Sequence, residues 1–383
     1  MRILYSHRTR SADGQFVHIK ALTDALTARG HEILLAGPDG ESKTKALDIG
    51  AGGGLKETLP RALYECAEYG YSVPAYRRIA AIARAGAPDV IYERYNLFYH
   101  AGVWAKRRLG VPLILEVNAP LVDERSRHGG LALKPFARKS ERAIWRAADM
   151  VLPVTNVLGD HVRAAGVPED RIAVIQNGVD ADFLVERDAR PVRTRHGLEG
   201  KTILGFTGFM RDWHRLDRVV AFIAAAKRSD LHFLIVGDGP ARSELEQLAD
   251  RLGVAAQMTT TGVIQRDAIA DYVAAFDIAL QPAATAYASP LKLFEYMALG
   301  KAILAPAQPN IKEVLTDGDD ALLFDAADDV AFNTALTRLV DDVELRTRLG
   351  GSARGALKRA DYTWTGNAAR VERIAEQLLG KQK

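Results

Sequence analysis

The chain has 383 residues, of which 48% are hydrophobic and 26% are charged, and its net charge is +3. This length exceeds one ordinary hydrophobic core and predicts two domains of a globular protein. The single cysteine excludes an internal disulfide framework and a cysteine-built metal site. No apolar run approaches the roughly 20 residues of a membrane-spanning helix. Because signal-peptide and nucleic-acid-binding motifs are also lacking, we expect a cytoplasmic protein that binds no nucleic acid.

Strand and helix patterns alternate along the first half of the chain. The first strand is followed by a loop containing Gly14 and by the amphipathic pattern FVHIKALTDALTARG. Apolar runs separated by helices are typical of a parallel sheet covered on both faces. The predicted strands are 2–6, 31–37, 89–94, 112–118, 150–155 and 172–178, with a helix at about 99–109.

The pattern starts again after a charged, linker-like segment at roughly 180–200. The strands predicted in the second half are 201–208, 231–240, 275–283 and 301–306. We therefore predict an α/β protein with two Rossmann-like doubly wound domains facing each other across a cleft. They comprise residues 1–180 and 181–360, and a final helix in 361–383 crosses back to the first domain. Ligands of such sheets bind beyond the carboxyl ends of the strands.

The stretch SPLKLFEYMALG, residues 289–300, has the apolar spacing of a helix. Ser289 followed by Pro290 predicts its start, with a hydroxyl N-cap and proline at the first helical position. The first N–H groups of such a helix, together with the helix dipole, form an anion site that suits a phosphate. These N–H groups belong to Leu291, Lys292 and Leu293.

Spacing alone leaves two interpretations of Glu295 open. Lys292 adds a positive charge to the predicted anion site, and Glu295 lies about 4.5 Å further along the same face. There a carboxylate can accept hydrogen bonds from both hydroxyls of a ribose whose diphosphate lies at the helix end. The alternative is an ordinary surface pair between Lys292 and Glu295, which contributes little free energy.

Five segments resemble, in order, the retaining GT-B glycosyltransferases of family 4, which transfer a sugar from a nucleotide diphosphate sugar. They are DGQFVHIKALTDALTARGHEILLAG, IQNGVDADF, LIVGDGPARSELEQLADRLG, SPLKLFEYMALGKAILAP and YTWTGNAARVERI. The resemblance covers nearly the whole chain. It implies the GT-B fold, with the acceptor side in the first domain and the donor in the second.

This resemblance assigns roles to the helix and to the first loop. Residues matching Pro290, Leu291 and Lys292 lie around the donor phosphates in the family, and the glutamate matching Glu295 binds the ribose. Gly14 matches a loop whose backbone approaches the donor, because a side chain would block that approach.

The segment GFTGFMRDWHRLD, with Gly208, resembles the place where a basic pair holds the donor phosphates. Arg211 is our candidate for one member of that pair. His214 stands at the position of the usual lysine, and a partly buried histidine at a helix start is the alternative interpretation.

The chain departs from the family pattern at two positions. Tyr287 stands eight residues before Glu295, where many members have a second glutamate that helps to hold the transferred sugar. The Tyr287 hydroxyl and backbone groups are possible substitutes, and simple packing of Tyr287 is the alternative. Asn118 stands where many members have a histidine that touches the sugar, and an amide cannot act as a general base.

Several charged and polar residues lie near strand ends that should face the cleft, and a structural hydrogen-bonding role is equally open for each. The candidates for the acceptor side are Glu93, Arg94, Glu116 and Asn118. The residues predicted to take part in the reaction itself are Asn118, Arg211, Lys292 and Glu295.

The sequence thus predicts a retaining glycosyltransferase that moves a sugar from a nucleotide diphosphate sugar to a glycan or lipid-linked glycan, without metal or other cofactor. The Asp-x-Asp pair that begins at Asp180 is interpreted as part of a turn. The basic stretch 125–146 favours either a solvated helix packed on its domain or a contact with the inner face of a membrane. A nucleotide-sugar 2-epimerase and an inactive transferase-like partner subunit are the alternative functions.

Overall fold

This computed structural model describes residues 1–9, 14–38, 59–128 and 130–381. The chain divides into two compact units. Unit 1 is formed by Met1–Gln176 and Trp364–Lys383, and unit 2 by Asn177–Thr363. The boundaries predicted from the sequence, 180 and 360, lie a few residues from these.

Unit 1 is built on a parallel sheet whose inner strands are almost completely buried. Its strands are β1 (Arg2–Ser6), β2 (Glu32–Ala36), β3 (Val90–Arg94), β4 (Leu113–Val117) and β5 (Met150–Pro153). They lie in the order β2-β1-β3-β4-β5. β4 is buried along its whole length, whereas Leu35 on the edge strand β2 is exposed. This difference is expected because an inner strand of a parallel sheet is covered on both faces.

Helices follow most of these strands, as in a βαβ arrangement. They are α1 (Gly14–Ala28), α2 (Arg61–Gly70), α3 (Ser72–Gly86), α4 (Ala101–Leu109), α5 (Leu121–His128), α6 (Lys134–Ala147) and α7 (Asn156–Ala164). α4 ends at Leu109 and is followed by Gly110, which takes the left-handed conformation (φ 71°) that favours glycine at a helix end.

Unit 2 contains a second parallel sheet. Its strands are β6 (Thr202–Thr207), β7 (Leu231–Val236), β8 (Met258–Thr260), β9 (Ile278–Leu280), β10 (Ala302–Pro306) and β11 (Leu322–Phe324), in the order β11-β10-β9-β6-β7-β8. The helices of this unit are α8 (Arg190–Arg195), α9 (Asp217–Ala226), α10 (Arg242–Arg251), α11 (Ile269–Ala274), α12 (Leu291–Ala298), α13 (Pro309–Lys312), α14 (Asp329–Asp341) and α15 (Val343–Ala360).

The last helix, α16 (Trp364–Gly380), belongs to unit 1 and packs against α1. The Trp364 ring lies 4.7 Å from the His18 ring, between centroids. Asn367 Nδ2 donates to the carbonyl of Gln176 at 2.8 Å, so the helix is also tied to the end of the preceding part of unit 1.

The predicted elements differ from the observed ones mainly at short strands. The predicted strand at 172–178 does not form a regular strand. Ile172 makes an isolated bridge with Val151, and the segment adds two backbone hydrogen bonds to β5, from Ala173 to Val151 and from Ile175 to Pro153. The edge strands β8 and β11 were not predicted. Each has only three residues, too few to show the alternation that identifies a strand.

The structure separates the two kinds of residue in the basic stretch. The large apolar side chains Ile144 and Trp145 of α6 are buried in unit 1, whereas the cations face outward. The exposed cations of this helix are Lys134, Arg138, Lys139, Arg142 and Arg146. Within the described ranges, no helix combines the length and apolarity needed to cross a membrane.

Candidate functional site

The start of α12 has the predicted proline but not the predicted cap. Pro290 occupies the N-cap position, and the Ser289 hydroxyl instead accepts a hydrogen bond from the N–H of Asn177 at 3.2 Å. The N–H of Leu293 donates to the Pro290 carbonyl at 3.1 Å. Of the three expected donors, those of Leu291 and Lys292 therefore remain the candidates for an anion.

Glu295 is buried in the second turn of α12, and an arginine faces it. Its Oε1 accepts a hydrogen bond from Arg266 Nη1 at 2.8 Å, and Arg266 also contacts Asp180 and stacks on Phe183. Burial raises the pKa of Glu295, and the charge of Arg266 opposes this shift. A surface pair of Glu295 with Lys292 is wrong, because Glu295 is only 6% exposed and forms its ion pair with Arg266.

Lys292 projects from the same helix toward the end of β6. Its Nζ lies 3.8 Å from the centroid of the Phe206 ring. A Cβ added at Gly208, whose φ is +124°, would come within 3.3 Å of that Nζ. Burial lowers the pKa of Lys292 to about 7, although Glu295 opposes the shift. Glycine at 208 thus leaves room for an ammonium group, whose charge is costly until an anion binds.

His214 is a neutral neighbour of this ammonium. Its Nδ1 accepts the backbone N–H of Arg211 at 3.2 Å, and its ring packs on Phe206 with centroids 5.1 Å apart. Burial, together with the charges of Lys292 and Arg211, lowers the pKa of His214 to about 3. With Nδ1 as acceptor, the neutral ring carries its proton on Nε2. His214 can thus donate one hydrogen bond to a ligand but does not replace a lysine charge.

Arg211 is exposed and held between two aromatic rings. Its guanidinium carbon lies 4.8 Å from the centroid of Phe209 and 5.0 Å from that of Trp213. Both rings are themselves exposed. Such cation–π contacts orient the guanidinium and leave its N–H donors available.

The structure adds less about two other predicted donor-binding residues, Tyr287 and Gly14. Tyr287 is partly buried in the loop before α12. Gly14 is the first residue of α1, but the loop that precedes it lies outside the described residues.

Three of the four acceptor-side candidates, Arg94, Glu116 and Asn118, form a network around the Glu116 carboxylate. Its carboxylate accepts from Tyr92 Oη at 2.6 Å, Arg94 Nη1 at 2.5 Å and Asn118 Nδ2 at 2.5 Å. His18 Nε2 lies 3.0 Å away. Burial alone would raise the pKa of Glu116, but the charges of His18 and Arg94, with the hydrogen bonds from His18 and Tyr92, hold it well below its usual range. Glu116 is therefore a carboxylate that fixes Arg94 at the end of β3 and Asn118 just after β4.

Glu93 is fully buried, so in this conformation it offers no surface to an acceptor, contrary to the prediction. Its carboxyl accepts from the hydroxyl of Ser6 at 3.1 Å and from the backbone of Gly102 at the start of α4. Burial raises the pKa of Glu93 to about 8. A Cβ at position 102 would collide with this carboxyl.

Replacing Gly102 by Ala is expected to destabilise unit 1 by about 2 kcal/mol, because an added methyl in a packed interior forces side chains from their positions. Denaturant unfolding measures this change. Gly70→Ala is the matched control, since Gly70 also lies in a helix and nothing lies within 4 Å of its added Cβ. Equal stability of the two variants would contradict the packing described for Glu93.

Metal ligation has no candidate cluster here: among the described residues, no group of three or more His, Cys, Asp or Glu side chains could hold an ion. The carboxylate of Asp180, interpreted above as part of a turn, contacts Arg266.

Comparison with known proteins identifies the family. The model "Glycosyltransferase Family 4" matches residues 12–183, and "Glycosyl transferases group 1" matches residues 201–342. A D-inositol 3-phosphate glycosyltransferase from Nocardioides sp. is 30% identical over 311 residues, which are 75% of this chain and 67% of that protein. The chain belongs to glycosyltransferase family 4.

Two further known proteins are similar to this chain. An alpha-D-kanosaminyltransferase from Streptomyces kanamyceticus is 26% identical over 67% of this chain and 68% of its own. The crystal structure of Anabaena Alr3699/HepE in complex with UDP has a TM-score of 0.77 at 17% identity, covering 98% of this chain and 100% of that one. The predicted α/β GT-B fold is confirmed, and the protein is a glycosyltransferase.

Three residues of this glycosyltransferase were not found from its sequence. Arg266 lies 29 positions before Glu295, and no pattern connects the two residues. Tyr296 turns inward, where its hydroxyl accepts the N–H of Thr207 at 3.0 Å, next to Gly208. Asp180 belongs to the segment IQNGVDADF, which resembles the family, but only the fold shows its contact with Arg266.

Proposed function

We propose that this family 4 glycosyltransferase transfers a sugar, with retention of configuration, from a nucleotide diphosphate sugar to a hydroxyl of a glycan or lipid-linked glycan. No metal takes part. The observation that carries the donor assignment is the arrangement at the start of α12. There a half-buried ammonium, two N–H candidates and a buried carboxylate follow one another within five residues.

In this proposal the donor diphosphate lies against the N–H groups of Leu291 and Lys292. The Lys292 ammonium and the Arg211 guanidinium stabilise the charge that develops on the leaving diphosphate, as fixed donors and charges do in other transferases. Glu295 accepts the ribose hydroxyls while Arg266 holds its carboxylate in place. His214 contributes one N–H.

Retention fits the lack of a general base at Asn118. The acceptor attacks from the face that the diphosphate leaves, and the departing phosphate oxygen takes the proton of the acceptor hydroxyl. The C–O bond to the diphosphate breaks while the new glycosidic bond forms. Asn118 and Arg94, held by Glu116, are the proposed acceptor contacts. The names of relatives support a polar, hydroxyl-rich acceptor, since one acts on D-inositol 3-phosphate.

A thermal-shift panel of UDP, GDP, ADP, TDP and CDP, each with and without magnesium, tests the donor site. A ligand at 100 times its dissociation constant stabilises the protein by about 2.7 kcal/mol. We expect one nucleotide to raise Tm without magnesium. A shift that requires magnesium would contradict the metal-free proposal, and no shift at all would favour an inactive partner subunit. Turnover of a donor without acceptor to an epimeric sugar would identify the 2-epimerase instead.

The exposed cations of α6 support electrostatic binding to an anionic membrane, because Ile144 and Trp145 of the helix are buried whereas its five cations are exposed. We expect the protein to sediment with vesicles of anionic lipid at low salt and to be released as salt rises. Vesicles of neutral lipid are the control. Binding that ignores salt, or no binding to anionic vesicles, would contradict a membrane role.

A further inference from the structure

The loop 281–289, which leads from β9 into α12, is held by side-chain amides from three separate segments. Asn310 comes from α13, Asn177 from the first residue of unit 2, and Gln281 from the loop's own beginning. All three are at least nine-tenths buried, with exposures of 1%, 7% and 2%, respectively. Each donates to a backbone carbonyl of the loop.

Asn310 closes the middle of the loop. Its Nδ2 donates to the carbonyl of Thr285 at 3.0 Å and to that of Ala288 at 2.7 Å. One amide group thus joins two carbonyls three residues apart, on either side of Tyr287. Because both N–H groups of the Asn310 amide donate, the amide holds the loop at two points rather than one.

Asn177 fixes the loop where α12 begins. Its Nδ2 donates to the Ser289 carbonyl at 2.6 Å, and its backbone N–H donates to the Ser289 hydroxyl at 3.2 Å. Gln281 Nε2 donates to the carbonyl of Ala283 at the other end. The loop is therefore held at both ends and in the middle.

Each of these three amides also has a buried side-chain oxygen. Within the part of the chain that the structure describes, Oδ1 of Asn177, Oδ1 of Asn310 and Oε1 of Gln281 have no hydrogen-bond partner. A buried acceptor without a donor reduces stability. Three such losses around one loop indicate that these side chains serve its conformation rather than the overall stability of unit 2.

We propose that Asn310 and Asn177 are positioning residues for donor binding. By holding loop 281–289, they direct the N–H groups of Leu291 and Lys292 toward the donor diphosphate. This inference rests on the proposed function. Loop 281–289 has Tyr287 where many family members have a second glutamate. The inference accounts for this difference, because the neutral amides of Asn310 and Asn177, which lie outside the loop, fix its backbone.

Asn310→Asp in the full chain tests this inference, since it keeps the shape of the side chain and removes both donors. UDP and uridine are titrated by ligand-observed NMR, or the matching pair for whichever base the nucleotide panel selects. We expect UDP to bind about tenfold more weakly. Without the Asn310 hydrogen bonds, the N–H groups of Leu291 and Lys292 are no longer directed at the diphosphate, and hydrogen bonds to this charged group are lost. Uridine binding should not change, because uridine has no diphosphate to contact the N–H groups at the start of α12.

Two further measurements separate positioning from general destabilisation. Lowering the pH should restore part of the UDP affinity of Asn310→Asp, because a protonated carboxyl regains one O–H donor. Asn310→Ala removes the donors without adding charge and should show the same selective loss without the pH effect. Asn333→Asp is the control, since Asn333 is exposed on α14 and the charge change is identical.

Each remaining outcome decides against the inference. Unchanged UDP affinity in the folded variants, or an equal loss for UDP and uridine, would overturn it. Failure of both Asn310 variants to fold would show a role in stability instead. Absence of nucleotide binding by the unaltered protein would overturn the proposed function and this inference together, whereas normal binding by the unaltered protein alongside unchanged variants overturns the inference alone.

Discussion

Replacing Lys292 by Met is expected to make the protein more stable and to weaken its binding of nucleoside diphosphates. Burial lowers the pKa of Lys292 to about 7, so the ammonium form is destabilised in the empty site. An apolar side chain of similar length avoids this cost, and we expect a gain on the order of 2 kcal/mol in the free energy of unfolding. The same change removes a charged donor to the diphosphate and should weaken binding about 10- to 100-fold.

The pH dependence of both effects has a definite sign. The unfolded chain keeps the Lys292 proton up to its ordinary pKa of 10.5, whereas the folded protein releases it near pH 7. Between these values the unfolded state binds more protons, so Lys292 makes the stability rise with pH. Binding of a diphosphate needs the charged form, so affinity should fall as the pH rises above about 7, with proton uptake on binding.

Calorimetric titration of UDP between pH 6 and 9, with denaturant unfolding over the same range, measures these effects. Lys292→Met should lose the part of each pH dependence that comes from this group, and the ionisation of UDP itself cancels in the comparison. Lys358→Met is the control, because Lys358 is exposed on α15. A variant that is less stable than the unaltered protein, or that binds UDP equally well, would contradict the role given to Lys292.

Replacing Glu295 by Ala is expected to weaken UDP binding about 100-fold, because two hydrogen bonds from ribose hydroxyls to a carboxylate are lost. Glu295→Gln retains neutral acceptors and should lose only about tenfold. The free energy of unfolding should fall as well, because the Arg266 charge loses one of its two carboxylates.

The ribose contact is isolated by a nucleotide that lacks one hydroxyl. Deoxy-UDP should bind the unaltered protein more weakly than UDP does, and Glu295→Ala should remove most of this difference. Glu344→Ala, at an exposed position of α15, is the control. If the variant still distinguishes UDP from deoxy-UDP as strongly as before, Glu295 does not bind the ribose.

The regular part of the fold could be predicted from the sequence because its signals are local. The inner strands are continuous apolar runs, and Pro290 marks the start of α12 within one residue of its observed position. The Ser289 cap was wrong because Pro290 occupies the N-cap position, and the Ser289 hydroxyl accepts a hydrogen bond from Asn177, 112 positions away. Local propensity describes a helix start but not a distant competitor for its capping group.

The site could be predicted only in part for a similar reason. The positions of Lys292 and Glu295 follow from helical spacing, but their partners, Phe206 and Arg266, come from other elements. Glu93 and Glu116 lie on neighbouring strands and both follow apolar runs. One is nevertheless neutralised by burial and the other is held charged by Arg94 and His18. That difference depends on which side chains the folded sheet brings together.

The return of α16 to unit 1 also sets the order in which the protein can be completed. Unit 2 is one continuous stretch of chain, whereas unit 1 needs residues from both ends. A ribosome therefore releases everything that unit 2 requires before it has made the helix that packs on α1. Unit 1 therefore starts to be synthesised before unit 2 but is completed after it. Until α16 has been made, the His18 side chain lacks its Trp364 neighbour.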